Sequence, residues 1–356
     1  MTIVISKSIV YREIPTGLPI PDQHFQVVST ELDLDDLALE HGDFVTKTLY
    51  LSVDPYQRSK MREPSIESYN SAYELNKIMS GGAISQVIQS NNPTFRVGDY
   101  VTGGSARWEE YSVIRRAQAS QFRNTTDRIH QVGLPLRHWL NVLGGTGLTA
   151  YVGFRLFGDI RPGKTIYISG AAGATGYVIA QIAKIKGLRV IGSTGDDAKV
   201  LFLMETAGID AAFNYKKISV DEALSEYAPD GIDFFFDNVG GETLEATINH
   251  ANTHARFILC GAISGYNQSD EERYGVKNLF KVVSKRLDIK GFLVSEAAPP
   301  FIEDFHREVV GWVKSGELVV SDSVVEGIEN TPKALVDMLQ GKNLGKQLVK
   351  VAEEDP

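Results

Sequence analysis

The stretch TIYISGAAGATGYVIAQIAKIKG, from Thr165 to Gly187, constrains the fold most. A short run of strand-forming residues enters a glycine-rich turn, which opens directly into a segment with Val178, Ile182 and Ile185 on one helical face. The alternation continues along the chain. From about Gly163 onward, six strand-like runs follow one another: TIYIS, RVIGS, AAFNY, IDFFFDN, RFILCG and LDIKGFLV. Helical patterns separate most of them, and Ser219 with Glu222 forms a capping-box pattern ahead of one. Strands joined by helical crossovers predict an α/β fold with a doubly wound parallel sheet.

The turn aligns as A-x-G-x-x-G on Ala171, Gly173 and Gly176. Gly173 suits a close backbone approach to a pyrophosphate, and Gly176 suits tight packing of helix on strand. The helix N-terminus offers aligned N–H donors to an anion. Ala171 stands where the fingerprint has its first glycine, so the tight turn is expected to form without the most permissive residue. A site for the adenosine ribose of NAD places an acid about 20 residues beyond such a loop. Here that position is Ser193, followed by Thr194 and Gly195, with Lys199 a short way on. A 2′-phosphate would meet no built-in repulsion at this strand tip. Asp196 and Asp197 are read as helix N-capping acids; turned toward the ribose, they would select NADH instead.

Residues 1 to about 135 follow a different pattern, with short alternating runs such as DFVTKTLYLSVDP and GGAISQVIQS bounded by glycine or proline. They predict a small β-rich domain. The segment Met61 to Lys77 is long for a compact connection and reads as a functional loop or lid. LGKQLVKV, near the C-terminus, is expected to return to this first domain.

Composition removes several function classes. The chain has 356 residues with a formal charge of −9, which opposes nucleic-acid binding. No apolar run is long enough for a membrane span and no secretory leader is apparent, so the expected location is cytoplasmic. Cys260 is the single cysteine, which excludes an internal disulfide and a multi-cysteine zinc site. It is read as a small apolar residue on a strand. His250 and His254 are expected one turn apart at a polar helix end, with no third metal ligand. GAISG at 261–265 is not the G-x-S-x-G of a serine hydrolase.

Eight motifs carry a family resemblance: SVDPYQRSKM at 52–61, GLTAYVGF at 147–154, GAAGATGYVIAQIAKIKG, FNYK at 213–216, PDGIDFFFDNVGGETL at 229–244, CGAISGYN at 260–267, KGFLV at 290–294 and GKNLGKQLVK at 341–350. In that order, and across nearly the whole chain, they resemble the zinc-independent medium-chain dehydrogenase/reductases. The branch is that of prostaglandin reductases, leukotriene B4 12-hydroxydehydrogenases and 2-alkenal (double-bond) reductases. The resemblance implies a GroES-like β-rich catalytic domain at 1–135, completed by the tail 321–356, and a Rossmann NADP-binding domain at 136–320. It also implies a homodimer and NADP(H).

Carried over by matching position, Gly173, Ala174, Thr175 and Gly176 would cradle the pyrophosphate, while Lys199 and Tyr215 would contact the 2′-phosphate. Asn238, the run Cys260, Gly261, Ala262, Ile263, Ser264, Gly265 and Tyr266, the segment Phe292, Leu293 and Val294, and Asn343 would line the cofactor. Tyr56 and Tyr266 would face the substrate. The chain departs from the family pattern at Gly145-Thr146, at Arg107 before Trp108, and in the acidic insert NQSDEERYGV, which bears on substrate range.

The expected activity is NADPH-dependent reduction of the α,β double bond of enals and enones without a metal. Hydride delivered to the β-carbon leaves negative charge on the carbonyl oxygen, where a tyrosine hydroxyl can stabilise it. Tyr266 is the first candidate and Tyr56 the second; the alternative for each is a packing role beside a turn. Arg58 is read as a surface cation. Quinone reduction is the rival activity. A catalytically silent nucleotide-sensing or RNA-binding protein is the rival of another class.

Overall fold

The computed structural model describes residues 2–354. The chain forms two compact units, one of residues 1–140, 323–342 and 347–356 and the other of residues 141–322 and 343–346.

The second unit holds a six-stranded sheet: β1 Thr165–Ile168, β2 Arg189–Thr194, β3 Ala211–Asn214, β4 Ile232–Asp237, β5 Ala251–Leu259 and β6 Asp288–Gly291. Their spatial order is β3-β2-β1-β4-β5-β6, and each neighbouring pair is parallel. This is the doubly wound order in which the chain reverses direction beside β1. Helices α1 Ala174–Ile185, α2 Asp197–Glu205, α3 Val220–Tyr227 and α4 Gly241–His250 fill the first four crossovers, and a short helix, Phe280–Lys285, lies in the fifth. The Ser219 hydroxyl accepts from the Glu222 amide, while the Glu222 carboxylate accepts from the Ser219 amide, so the capping box forms at α3.

One sheet face is an aromatic ladder. Tyr167 stacks on Phe235 at 5.2 Å between centroids and on Phe213 at 6.0 Å, and Phe235 meets Phe257 edge-on at 5.2 Å. The Tyr167 hydroxyl and Ser193 Oγ are 2.7 Å apart, so the one polar atom of the ladder is paired inside the core. Helix α1 is buried from Gly176 through Ala183, on more faces than its simple apolar period predicts. The reason is that its polar-side residues are used. Gln181 Oε1 accepts from the Val319 amide at 2.8 Å, and its Nε2 donates to the Val319 carbonyl at 3.2 Å.

The first unit is built on a largely antiparallel sheet. Phe44–Ser52 lies between Ser80–Ser90 on one side and Lys346–Lys350 on the other, and also pairs with Tyr111–Ile114. LGKQLVKV therefore supplies a strand to this sheet. The central strand is buried at seven of its nine positions, which explains why its alternation is imperfect. Tyr11, Phe44 and Trp108 are wholly buried in its core. A second sheet pairs Ile3–Tyr11 with Phe25–Asp33.

Candidate functional site

The reversal beside β1 creates the first part of the site. Gly170, one residue before Ala171, has φ +59 and takes the left-handed turn. The expected compromise at Ala171 does not arise, because the permissive residue is shifted by one position. The Gly173 amide donates to the Gly170 carbonyl at 3.0 Å, which closes the loop. A Cβ at Gly176 would stand 2.4 Å from that carbonyl oxygen, so any side chain there would force α1 off the loop. Ala174, Thr175 and Gly176 open the twelve-residue helix α1, where amides lack acceptors within the helix. Narrow loop and helix N-terminus together fit a pyrophosphate. Asn343 borders this loop: its Nδ2 donates to the Gly345 carbonyl at 2.7 Å, and the Gly345 amide donates to Ala172 at 3.1 Å.

The tip of β2 carries no carboxylate. Asp196 caps α2 by accepting from the Ala198 amide at 2.8 Å. Asp197 accepts from Asn214 Nδ2 at 2.8 Å and is paired with Lys217. Both acids therefore act locally, at the helix start and its neighbouring strand. Lys199 is half-buried, while Tyr215 is half-exposed. Burial lowers the Lys199 ammonium from its ordinary range, Asp196 opposes the shift, and the charge of Lys216 adds to it. A Cβ at Gly195 would lie 2.7 Å from the Tyr215 hydroxyl and 3.2 Å from Lys216 Cε. Two groups that can hold a phosphate thus pack over a glycine, and Lys199 lies close enough to Lys216 for their charges to interact, a cation-rich setting that fits a 2′-phosphate. Lys216 was not among the residues singled out in sequence; its place directly after Tyr215 is the signal that could have found it.

A second organiser was also missed. Asp237, at the end of β4, is buried, and its Oδ1 accepts from Ser169 Oγ at 2.8 Å and from the Val239 and Gly240 amides at 2.9 Å each. Burial pushes its carboxyl up from the usual range, and these donors oppose the shift. Its backbone carbonyl accepts from the Cys260 and Gly261 amides. The Ser169 hydroxyl accepts from the Asn238 amide at 2.8 Å, and Asn238 Nδ2 donates to the Ser169 carbonyl at 2.7 Å. The tips of β1, β4 and β5 are therefore tied together. An acid closing the apolar run IDFFFD was the available clue.

The 260–266 segment continues from β5 along these tips. Ile263 and Ser264 donate to the Asn238 and Val239 carbonyls, and Ile263–Gly265 forms a single helical turn. That turn brings Tyr266 back over the segment, where its hydroxyl accepts from the Ala262 amide at 3.4 Å. A Cβ at Gly261 would meet the same hydroxyl at 3.2 Å. Cys260 lies just past the end of β5 rather than on the strand, and desolvation pushes its thiol up to about 12, with Asp237 adding to the shift. A protonated thiol is no nucleophile. The Phe292 ring faces Gly153, and Leu293 and Val294 follow it, half-buried.

In the first unit, Tyr56 begins a short helix, Tyr56–Ser59. The turn before it is held by Gln57, which accepts from the Asp54 amide at 3.0 Å and donates to the Ser52 carbonyl at 3.0 Å. Desolvation drives the Tyr56 phenol well above the usual tyrosine range; the Asp54 charge raises it further, and hydrogen bonding to Gln57 and Gly82 pulls it back. It is thus a neutral O–H donor. Arg58 is a correction to the sequence reading. It is buried, and its guanidinium donates to the Gly17 carbonyl at 2.9 Å, the Pro15 carbonyl at 3.3 Å and the Met61 carbonyl at 3.4 Å. Backbone acceptors replace its hydration, so it braces the turn.

His250 and His254 are also not placed as expected. α4 ends at His250, which pairs with Asp221 at 3.0 Å, and His254 lies within β5. Among the described residues, no group of three or more His, Cys, Asp and Glu is placed to hold a metal, and no helix is long and apolar enough to cross a membrane.

Comparison with known proteins agrees with this architecture. Residues 7–122 match a family described as the N-terminal domain of oxidoreductase, and residues 174–315 match one described as zinc-binding dehydrogenase. The chain is 38% identical to NADP-dependent oxidoreductase RED1 of Cochliobolus heterostrophus over 98% of both chains. It is 38% identical to the NADP(+)-dependent 2-alkenal reductase of Nicotiana tabacum over 99% of both. The crystal structure of CurA from Vibrio vulnificus in complex with NADPH superposes with a TM-score of 0.84, at 29% identity, over 98% of this chain and 99% of that one. With its GroES-like and Rossmann architecture and these full-length relatives, the chain belongs to the zinc-independent medium-chain dehydrogenase/reductase family, in the alkenal reductase branch.

Proposed function

We propose that this protein is an NADPH-dependent reductase of the α,β carbon–carbon double bond of enals and enones. The observation that carries the reading is the carboxylate-free tip of β2, where Tyr215 and Lys216 pack over Gly195 and half-buried Lys199 follows on α2, while Asp196 and Asp197 are engaged elsewhere. It favours a 2′-phosphorylated cofactor, in keeping with the NADP dependence named for the tobacco alkenal reductase. When bound, NADPH supplies a hydride to the electrophilic β-carbon.

The protein's own groups do the rest. The loop from Gly173 through Ala174, Thr175 and Gly176 holds the pyrophosphate, and Asn238, Asn343, the run Cys260–Tyr266 and the segment Phe292–Val294 line the remainder of the cofactor. The Tyr266 hydroxyl, with Tyr56 as the second donor, points a proton at the carbonyl oxygen as enolate charge develops. A protein proton donor is needed here because the lone cysteine and the scattered histidines offer no thiolate-rich metal site. In this reading residues 1–135 with 321–356 form the catalytic domain and 136–320 the NADP-binding domain. The enzyme acts as a cytoplasmic homodimer, and its net charge of −9 keeps it from nucleic acids.

NADPH consumption measured side by side with propenal, cyclohexenone and a benzoquinone tests the reading. The enal and enone should be consumed faster than the quinone; turnover of the quinone alone would replace this function with the rival one. Metal analysis of the purified protein should find no stoichiometric zinc, and chelators should leave turnover unchanged. Stoichiometric zinc whose removal abolishes turnover would overturn the metal-free mechanism.

A further inference from the structure

The acidic insert NQSDEERYGV, residues 267–276, is anchored along its return path. After the turn that ends in Tyr266, the chain comes back over one face of α4, formed by Gly241, Glu245 and Asn249 at one-turn intervals. Tyr274 packs at the first position: a Cβ on Gly241 would stand 3.5 Å from Tyr274 Cβ and 3.2 Å from Ser264 Oγ. At the second, the Lys277 amide donates to Glu245 Oε2 at 2.6 Å, and Asn278 Nδ2 donates to the Glu245 carbonyl at 2.8 Å. At the third, Asn249 Oδ1 accepts from Asn278 Nδ2 at 2.9 Å and from Lys281 Nζ at 2.6 Å. Lys277 Nζ also lies 5.2 Å from the centre of the Tyr274 ring. Three successive turns of a helix therefore hold a segment that forms no regular element of its own.

From this anchored segment Arg273 reaches back to the turn that carries Tyr266. The Gly265 carbonyl accepts from Arg273 Nε at 3.4 Å and from the Gln268 amide at 3.2 Å. The Arg273 stem lies against the glycine, since a Cβ at Gly265 would meet its Cγ at 3.5 Å and its Cδ at 3.6 Å. Asp270 pairs with Arg273 Nη1 at 2.6 Å, and the Arg273 amide donates to the Ser269 carbonyl at 3.2 Å. That ion pair is exposed on both sides and adds little stability, but it orients the guanidinium. The turn itself is slight. Its own bonds run from the Gly265 amide to Ala262 at 3.0 Å and from the Tyr266 amide to Ile263 at 3.3 Å. One isolated helical turn is marginal without outside support. The peptide plane that Arg273 holds joins Gly265 to Tyr266, so its orientation sets the direction in which the tyrosine leaves the chain.

We infer that Arg273, carried on the insert that α4 anchors, is a positioning residue for Tyr266. It clamps the Gly265–Tyr266 peptide and so holds the phenol hydroxyl where enolate charge develops. The inference rests on the proposed enone reduction with Tyr266 as proton donor.

The test uses the full-length protein with NADPH and cyclohexenone. Arg273→Met keeps an apolar stem over Gly265, removes the donor and, because the side chain is exposed, opens no cavity. It should lower kcat about tenfold, as expected when a reacting group is slightly displaced, and leave KM for NADPH unchanged. In a Tyr266→Phe background the same substitution should cost nothing further, because the hydroxyl it positions is gone. Hydrogen exchange of the Tyr266 amide should be faster in Arg273→Met than in the parent. Unchanged kcat in Arg273→Met, or an equal loss in both backgrounds, would overturn the inference. Should the parent protein not reduce cyclohexenone, the proposed function fails by itself. The clamp is then read by hydrogen exchange alone, where an unchanged rate at the Tyr266 amide in Arg273→Met would overturn it.

Discussion

Tyr266→Phe lowers kcat for enone reduction by about 10²–10³-fold, the loss expected when one donor to a developing oxyanion is removed. The substitution keeps the ring and deletes only the hydroxyl. In the folded protein that hydroxyl accepts from the Ala262 amide, an arrangement that fixes the oxygen over the 260–266 segment. NADPH affinity should change little, because the groups assigned to its phosphates lie at the glycine loop and the tip of β2. A parallel fall in kcat and kcat/KM identifies an interaction made in the transition state. Tyr56 tests the alternative donor. Its phenol is held neutral by burial, so it too can donate across the physiological range. If both hydroxyls serve one oxygen, the double variant Tyr56→Phe/Tyr266→Phe loses less than the product of the single losses. Steady-state kinetics that leave kcat unaltered in both single variants and in the double variant would remove tyrosine from the mechanism.

Lys199→Ala weakens NADPH binding by about one to two decades and NADH binding hardly at all. One charge-assisted contact to a phosphate is worth roughly 1.5–3 kcal/mol. The half-buried setting of Lys199 favours the upper part of that range, since burial already works against its charge and a bound phosphate would restore it. Lys216 moderates the loss, because its stem also packs over Gly195. Dissociation constants for NADPH and NADH, measured by fluorescence in wild type and variant, check this. Equal losses for both cofactors would show that Lys199 does not recognise the 2′-phosphate.

Much of this was legible in the chain, for specific reasons. The six strands were visible because each is a short β-branched or aromatic run, and runs of that kind predict a buried parallel sheet. The cofactor preference was visible because it depends on one missing acid at a countable distance from the glycines. Gly170 was overlooked because the fingerprint assigns the turn to the next position, and nothing in the sequence fixes φ within a glycine-alanine run. Arg58 was misjudged because its acceptors are the carbonyls of Pro15 and Gly17, forty residues away in sequence. His254 was misplaced because α4 stops at His250 and the chain extends immediately into β5. Asp237 illustrates the middle case, an acid whose position at a strand end was evident and whose role needed the neighbouring tips of β1 and β5.

Reduction of the double bond requires that the β-carbon, not the carbonyl carbon, receives the hydride. The most direct measurement incubates the protein with NADPH deuterated at the transferring C4 position and 4-phenylbut-3-en-2-one, and locates the label by NMR. The expected product is a saturated ketone with deuterium on the β-carbon. An allylic alcohol with deuterium on the former carbonyl carbon would contradict it.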